Sequence, residues 1–517
     1  MLQSKNISGP VVLISKDIIY TFPFGYAYLA GYLRQQSEAV KMLFRPRKRT
    51  GFKEFVRQII ELKPLIVGFG TLYPDLYDVK ELINLLNQTG RDFPIVIGGQ
   101  MVTPTPEFAI KITGADYGVI GEGEIILYQL VKTLREQKST SRVKGLIIRD
   151  GDQVILTGAG QYIEDLSKLP PIPYDLFPKE KWLNIGQFYI DYSQPHWRYN
   201  DRVVFLHGGR GCPFNCNFCY HSSRPRYRAI TDIMADAKEL IERYNANMLY
   251  FGDDLTIASP ARARELTEAI KKLNRPVEYS VSARFDILER IDDELLREMK
   301  RTGCRIMGPG VESGSQRILD IMHKRITVEQ IITGLQRLKD VGILPTAAIM
   351  VGQLNETMED VKASMDIMLK TLRNDKNINY AFAITTPFPG SELYSIAKTK
   401  GIIKNDFDFY KRFNPDKELG AVSVNLSSMT DQQVETMRNQ LEKTYKQEKK
   451  KLIGKKVIVT EILRHQVFRV YNKLNKLVLN KLPDNKTTMP IKKFLETMHN
   501  WLQLFLDNIR LYFLGVK

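Results

Sequence analysis

Histidine is missing from the first 195 residues, and all six histidines lie at or beyond His196. No imidazole in that stretch can therefore bind a metal. Cysteine is scarce: there are four in 517 residues, three of them crowded between Cys212 and Cys219, and Cys304 stands alone. Such usage excludes a disulfide framework and suits a reducing compartment, so a cytoplasmic location is expected. No run approaches about 18 consecutive apolar residues, so no spanning helix is expected. Met1 to Pro10 has no basic region followed by an apolar run, and no secretory signal is read there. No internal repeat is apparent. Acidic residues are outnumbered, 58 Asp/Glu against 75 Lys/Arg, for a net charge of +17. The excess is concentrated at the end, where residues 431–517 hold 18 Lys/Arg against 8 Asp/Glu. With 43% hydrophobic and 26% charged residues the composition is that of ordinary folded protein, and the length implies two or three domains.

What is present is a compact thiol motif, Cys212-Pro-Phe-Asn-Cys216-Asn-Phe-Cys219, directly after Gly208-Gly209-Arg210-Gly211. Three close thiolates can hold three corners of a four-iron, four-sulfur cluster, whose full protein ligation needs four. The remaining iron is then open to a small molecule, which points to an enzyme. A closed structural zinc site is the alternative, with His207 or His221 as the fourth ligand.

The first 135 residues alternate short β-branched runs with helical patterns, as a parallel sheet requires. Strands are expected at 11–14, 65–68, 95–97 and 117–120, with helices over 26–35 and 82–87. Gly98-Gly99 and Gly121-Glu122-Gly123-Glu124 follow two of these strands. Glycines at the carboxyl ends of parallel strands let a ligand approach the backbone. A hairpin is read at 143–156, turning at Asp150-Gly151-Asp152, and an extended linker at 169–173. A second α/β series has strands near 203–206, 248–251, 277–281, 305–307, 345–351 and 380–385. Six such units make a partial barrel that works at its strand carboxyl ends. The expected domains are 1–140, a hairpin and linker at 141–199, a barrel at 200–400 and a basic helical region at 401–517.

The cysteine motif, with Phe218 before the last cysteine, resembles that of the radical S-adenosylmethionine (SAM) enzymes over about residues 200–400. The resemblance implies a [4Fe-4S] cluster on Cys212, Cys216 and Cys219. Its open iron chelates SAM, and one electron yields a 5′-deoxyadenosyl radical. Further segments look like the family's SAM contacts. Gly252-Asp253-Asp254 is similar to the motif that meets the amino group. Ser282 and Arg284 stand where relatives touch ribose or carboxylate. Glu312 and Ser313 match the ribose segment, and Pro387 the adenine segment. Taken singly, an Asp pair can be a helix cap and Gly-x-Glu-Ser-Gly only a turn. Cys304 reads as a small buried hydrophobe.

The amino-terminal part resembles the cobalamin-binding domain found in one branch of that superfamily, through Thr21 to Tyr26 (with Phe24 and Gly25), Thr71, Gly98-Gly99-Gln100 and Gly121-Glu122-Gly123-Glu124. The implied fold is α/β, with a Rossmann-like cobalamin-binding domain, a partial (β/α)6 TIM-type barrel and a carboxyl-terminal helical extension. Two departures stand out. The Asp-x-His-x-x-Gly motif of cobalamin mutases is absent, and Gln100 replaces a histidine often found after the paired glycines. The resemblance implies cobalamin-dependent C-methylation of an unactivated carbon. Rival outcomes are oxidative cyclisation or rearrangement, or a membrane-docked protein with a structural metal site. A methylthiotransferase would need further cysteines before Cys212, and there are none.

In the basic tail, Val459, Leu463, Val467, Val470, Leu474 and Leu477 recur at helical spacing, with Arg464, Arg469, Lys473 and Lys476 off the stripe. A second stripe runs Ile491, Phe494, Met498, Trp501, Phe505, Ile509 and Tyr512, with Pro483 and Pro490 bracketing the turn. A subdomain packed on the barrel, an anionic membrane surface and RNA are the three readings; aromatics on the apolar stripe disfavour RNA. Expected partners are a small-molecule or lipid-linked substrate, a one-electron donor such as flavodoxin or ferredoxin, and a membrane face through the tail.

Overall fold

A computed structural model describes residues 6–18, 22–188, 195–413, 420–477 and 489–514. Two open sheets dominate. The first has seven strands: β1 (Val11–Lys16), β2 (Val40–Arg45), β3 (Ile66–Gly70), β4 (Ile95–Gly98), β5 (Tyr117–Val119), β6 (Leu146–Asp150) and β7 (Gln153–Leu156). Their order is β2-β1-β3-β4-β5-β6-β7. Five strands are parallel and β6–β7 close the edge antiparallel. The order reverses between β1 and β3, which opens a crevice at their carboxyl ends. β2 escaped the sequence reading because Val40–Arg45 carries two basic residues and only its first residue is buried. The hairpin assigned to the linker region continues this sheet, with β6 pairing antiparallel to β5. Leu146, Ile147 and Ile148 are fully buried, which draws the hairpin onto the core.

A short two-stranded ribbon is made by β9 (Gly209–Arg210) and β10 (Arg226–Tyr227). The second large sheet comprises β8 (Val203–Leu206), β11 (Met248–Phe251), β12 (Glu278–Ala283), β13 (Cys304–Pro309), β14 (Leu344–Val351) and β15 (Asn379–Ile384). All six are parallel and ordered as in the sequence, the arrangement of a partial barrel. The intervening helices have clear local signals. Val328–Val341 starts on a Thr327/Gln330 capping box and ends at Gly342 in the left-handed region. At the amino ends of the strands, buried Arg305 pairs with Asp201 (2.7 Å) and Glu278 (3.0 Å), tying β13, β12 and the approach to β8 together.

The long helix Asp431–Leu477 is broken at Gly454, whose φ is +79°. Before the break it packs on β15 and on the helix Met358–Asn374, and the long helix also packs on the last helix, Met489–Leu514. Pro490 sits in that helix's first turn, where a missing N–H costs nothing, rather than in the turn before it. Thr21 and Pro483 lie outside the described residues, as do the side chains of Arg464, Arg469, Val470, Lys473, Leu474, Lys476, Leu477 and Ile491.

Candidate active site

The cysteine loop leaves the carboxyl end of β8, and β9–β10 pin its two ends together. Gly211 (φ +73°) turns the chain there; a Cβ would lie 2.4 Å from the Ser223 carbonyl oxygen. Cys212 and Cys216 are half-buried, Cys219 is exposed, and all are free thiols. His221 draws the loop together: its Nε2 lies 3.3 Å from Cys219 Sγ, and its Nδ1 lies 3.6 Å from Asp254. Arg284 reaches within 3.7 Å of Cys216 Sγ, its guanidinium 3.6 Å from the centre of the Phe214 ring. Burial is the largest influence and raises the Cys212 thiol, but His221, the Phe214 amide and Arg284 together turn the net shift downward. Cys216 is pushed up by burial, with Lys324 and Arg284 opposing. Asp254, then the two thiols, push His221 up to about 12. Cationic neighbours favour the thiolates that iron binds. Among the described residues no three His, Cys, Asp or Glu side chains close on a single-ion position. A four-iron cluster holds its thiolates on separate irons, and the donor set fits that group. Cys304 is buried in β13, its thiol pushed up to about 12 by desolvation.

The other expected SAM contacts lie at or just after strand ends of the same sheet. Asp253 Oδ1 accepts from the amides of Gly208 (2.5 Å) and Gly209 (3.1 Å), and Asp254 Oδ2 from that of Gly211 (2.9 Å). These carboxylates therefore brace the glycine run that launches the cysteine loop. Burial pushes Asp253 up to about 7, and among the described residues its Oδ2 has no hydrogen-bond partner. Ser282 Oγ accepts from Thr256 N at 2.8 Å. Glu312, at φ +63°, pairs with Lys324 (2.8 Å), and Ser313 Oγ lies 3.3 Å from Ser364 Oγ. Pro387 is buried and Phe218 half-buried. Gly252 meets the amino-terminal domain directly: a Cβ there would lie 2.4 Å from the Phe24 ring.

Facing this loop is a cleft of about 840 Å³ at the carboxyl ends of β1, β3, β4 and β5. Phe24, Gly25, Thr71, Gly98, Gly99, Gln100 and Gly121 to Glu124 all line it. Gly99, at φ +105°, lies so close to Thr71 that a Cβ would sit 2.8 Å from the Thr71 carbonyl oxygen. A glycine-edged crevice of this size suits a large cofactor, and cobalamin fits it. Gln100, His207, Arg210, Ser222 and Ser223 also line the smaller hollow holding His221 and Asp254, so the cleft and the cysteine loop share walls.

Two of the expected cobalamin contacts also bridge the domains. The Glu122 and Glu124 carboxylates, at the edge of the cleft, reach across to the β9–β10 ribbon and its loop. Glu122 accepts from Ser223 Oγ (2.9 Å) and pairs with Arg210 (3.1 Å) and Arg226; Glu124 pairs with Arg210 at 2.6 Å. Every charged side chain in this cluster is at most 12% exposed. The clamp joins the loop after β5 to both strands of the ribbon that frames the cysteines. Arg210, Ser223 and Arg226 were missed because their partners lie 86 to 104 residues away. His207 carries no sequence signal beyond that of a possible zinc ligand. It lies 5.0 Å from Phe24 and 5.4 Å from Tyr28, ring to ring, and burial lowers it to about 3. A neutral imidazole thus enters the cleft from the barrel side.

Sequence profiles of the radical SAM superfamily and of the B12 binding domain match residues 206–368 and 12–131. The chain belongs to the radical SAM superfamily, in the branch with a B12-binding domain. This radical SAM enzyme is 27% identical over 387 residues to an uncharacterized methyltransferase of Pyrococcus horikoshii, covering 74% of this chain and 79% of that one. It is 28% identical over 400 residues to the anaerobic magnesium-protoporphyrin IX monomethyl ester cyclase of Rubrivivax gelatinosus (75% and 68% covered). Its fold matches that of the cobalamin-dependent SAM radical enzyme OxsB, solved with aqua-cobalamin and SAM, with TM-score 0.64 at 17% identity (96% and 72% covered). The cofactors of the branch are a [4Fe-4S] cluster, SAM and cobalamin.

Proposed function

We propose that this enzyme transfers a methyl group to an unactivated carbon of a small-molecule substrate. The observation that carries the reading is the shared wall: Gln100, His207 and Arg210 line both the B12-domain cleft and the hollow beside the cysteine loop. A substrate held between them would be within reach of both cofactors, the proximity such chemistry requires. When bound, cluster and SAM supply a hydrogen-abstracting radical and the corrinoid supplies the methyl group. Cys212, Cys216 and Cys219 would hold the cluster. Arg284 and His221 would stabilise its thiolates, and Asp253 and Asp254 would fix the loop. The loops at Phe24–Gly25, Thr71, Gly98–Gln100 and Gly121–Gly123 would seat the corrinoid. The carboxylates of Glu122 and Glu124 would hold the two sites in register. The electron donor would be a one-electron carrier such as flavodoxin or ferredoxin, and the enzyme would work in the cytoplasm with peripheral contact to a membrane.

Reconstituted protein incubated anaerobically with SAM and a reductant should release 5′-deoxyadenosine. Its absence, with iron and cobalamin both bound, would overturn the radical reading. The likeness to a cyclase supports a second outcome, oxidative ring closure. Product mass separates the two: methylation adds a carbon and two net hydrogens, whereas cyclisation removes hydrogens.

A further inference from the structure

The last helix is turned the wrong way round for a soluble protein. Phe494 (66% exposed), Trp501 (63%), Phe505 (48%) and Tyr512 (78%) share one face and point away from the protein. The opposite face is buried and carries polar groups beside Leu506 and Leu514: Gln503 and Asp507 are each 1% exposed and Arg510 0%. That face is hydrogen-bonded to the approach to β8. Tyr199 N donates to Asp507 (2.8 Å) and Arg510 donates to the Trp197 carbonyl (2.7 Å). An amphipathic helix facing water presents the reverse arrangement. Four aromatic side chains along one helix face make an exposed apolar patch of the kind that marks an interaction site. Val459 and Leu463 of the neighbouring helix are exposed as well.

We infer that this face is a docking surface for an anionic lipid bilayer. Charge selects the occupant. Lys493 is exposed on the same helix, and Lys443, Lys446, Lys450 and Lys451 are exposed along the helix that leads to it, where Glu442 and Glu448 offset Lys446 and Lys451 and leave the surface net basic. A second copy of the chain would set this basic surface against itself, whereas anionic headgroups neutralise it. Tryptophan and tyrosine beside lysine are the side chains suited to the headgroup boundary. Among the described residues no helix is long and apolar enough to cross a membrane, so the contact is one of lying on the surface. Trp197 and Tyr199 precede β8, so the helix sits at the amino ends of the barrel strands, while the cysteine loop leaves their carboxyl ends. Docking would anchor the enzyme with its cleft turned away from the bilayer. This deepens the peripheral-contact part of the proposal above and is independent of its chemistry.

The test is flotation of the full-length, cluster-loaded protein with vesicles of phosphatidylcholine alone or mixed with phosphatidylglycerol. The anionic vesicles should carry about tenfold more protein or better, an advantage that high salt removes. The variant Phe494→Ser/Trp501→Ser/Phe505→Ser should lose the binding while keeping its iron. A measurement on the unaltered protein guards against misfolding: brominated lipid should quench tryptophan emission, and Trp501→Phe should abolish the quenching. Equal recovery on neutral and anionic vesicles, no quenching, or a solution dimer that the triple substitution dissociates would each overturn the inference. Formation of 5′-deoxyadenosine in lipid-free buffer reports the chemistry separately.

Discussion

Removing the Glu122 carboxylate should loosen the joint between the cleft and the cysteine loop. In Glu122→Ala, Arg226 loses its carboxylate and keeps the Ile163 carbonyl, a neighbouring backbone oxygen and the Tyr162 ring, while Arg210 keeps Glu124 and the Tyr28 ring. Stripping one partner from a buried charge pair costs about 3–5 kcal/mol, chiefly because a desolvated guanidinium is left behind. Local opening of the β9–β10 ribbon should then become on the order of a hundredfold more frequent, since about 1.4 kcal/mol is a factor of ten. Hydrogen exchange followed by mass spectrometry on peptides spanning residues 206–228 reads this directly. Glu164→Ala provides the control: the Arg224–Glu164 pair lies beside the clamp but is 58% and 67% exposed, so its loss should leave exchange unchanged. Glu122→Leu combined with Arg226→Met should recover much of the protection, because an apolar pair carries no stranded charge. Exchange in Glu122→Ala that matches the parent within threefold would show that the clamp does not hold the loop.

Cys216→Ala should lose most bound iron without general unfolding. Cys304→Ala should keep its iron and lose about 1–2 kcal/mol from a buried core position, measured by iron content and denaturation. Gly252→Ala pushes a methyl group into the Phe24 ring and should cost about 1–3 kcal/mol together with part of the cobalamin affinity; Phe24→Ala in the same chain should restore stability. Burial raises Glu356 from 4.5 to about 7 despite amides donated by Gly352 and Gln353. Between those pH values the folded chain keeps a proton that the unfolded chain has released, so this group's contribution to stability falls as pH rises, by up to about 1.4 kcal/mol per unit. The melting temperature of Glu356→Gln, taken relative to the parent, should therefore climb from pH 4.5 to 7; a flat difference would refute the assignment.

Much of the architecture was readable because its signals are local. Buried parallel strands such as Ile95–Gly98 and Leu344–Val351 are short apolar runs, and glycines mark where β3, β4 and β5 end. β2 was not readable, since its side chains are half-exposed and partly basic. The cysteine loop could be read from spacing alone. What spacing could not convey is how side chains are shared between distant segments. Glu122 and Glu124 resemble ligand contacts, yet they also meet arginines on the β9–β10 ribbon. The tail shows the same limit. Periodicity picks out its aromatic stripe, but which face turns inward depends on Tyr199 and Trp197, some 300 residues earlier.

The contact of Gly252 with Phe24 bears on how such a chain can diversify. A bare backbone on one half receives a ring from the other, and elsewhere along the seam acidic and basic groups interlock. Grafting either half onto a counterpart from a relative would create a steric collision or an orphaned ion at the seam. New specificities are thus expected to arise by remodelling loops within each half, with the seam itself inherited whole.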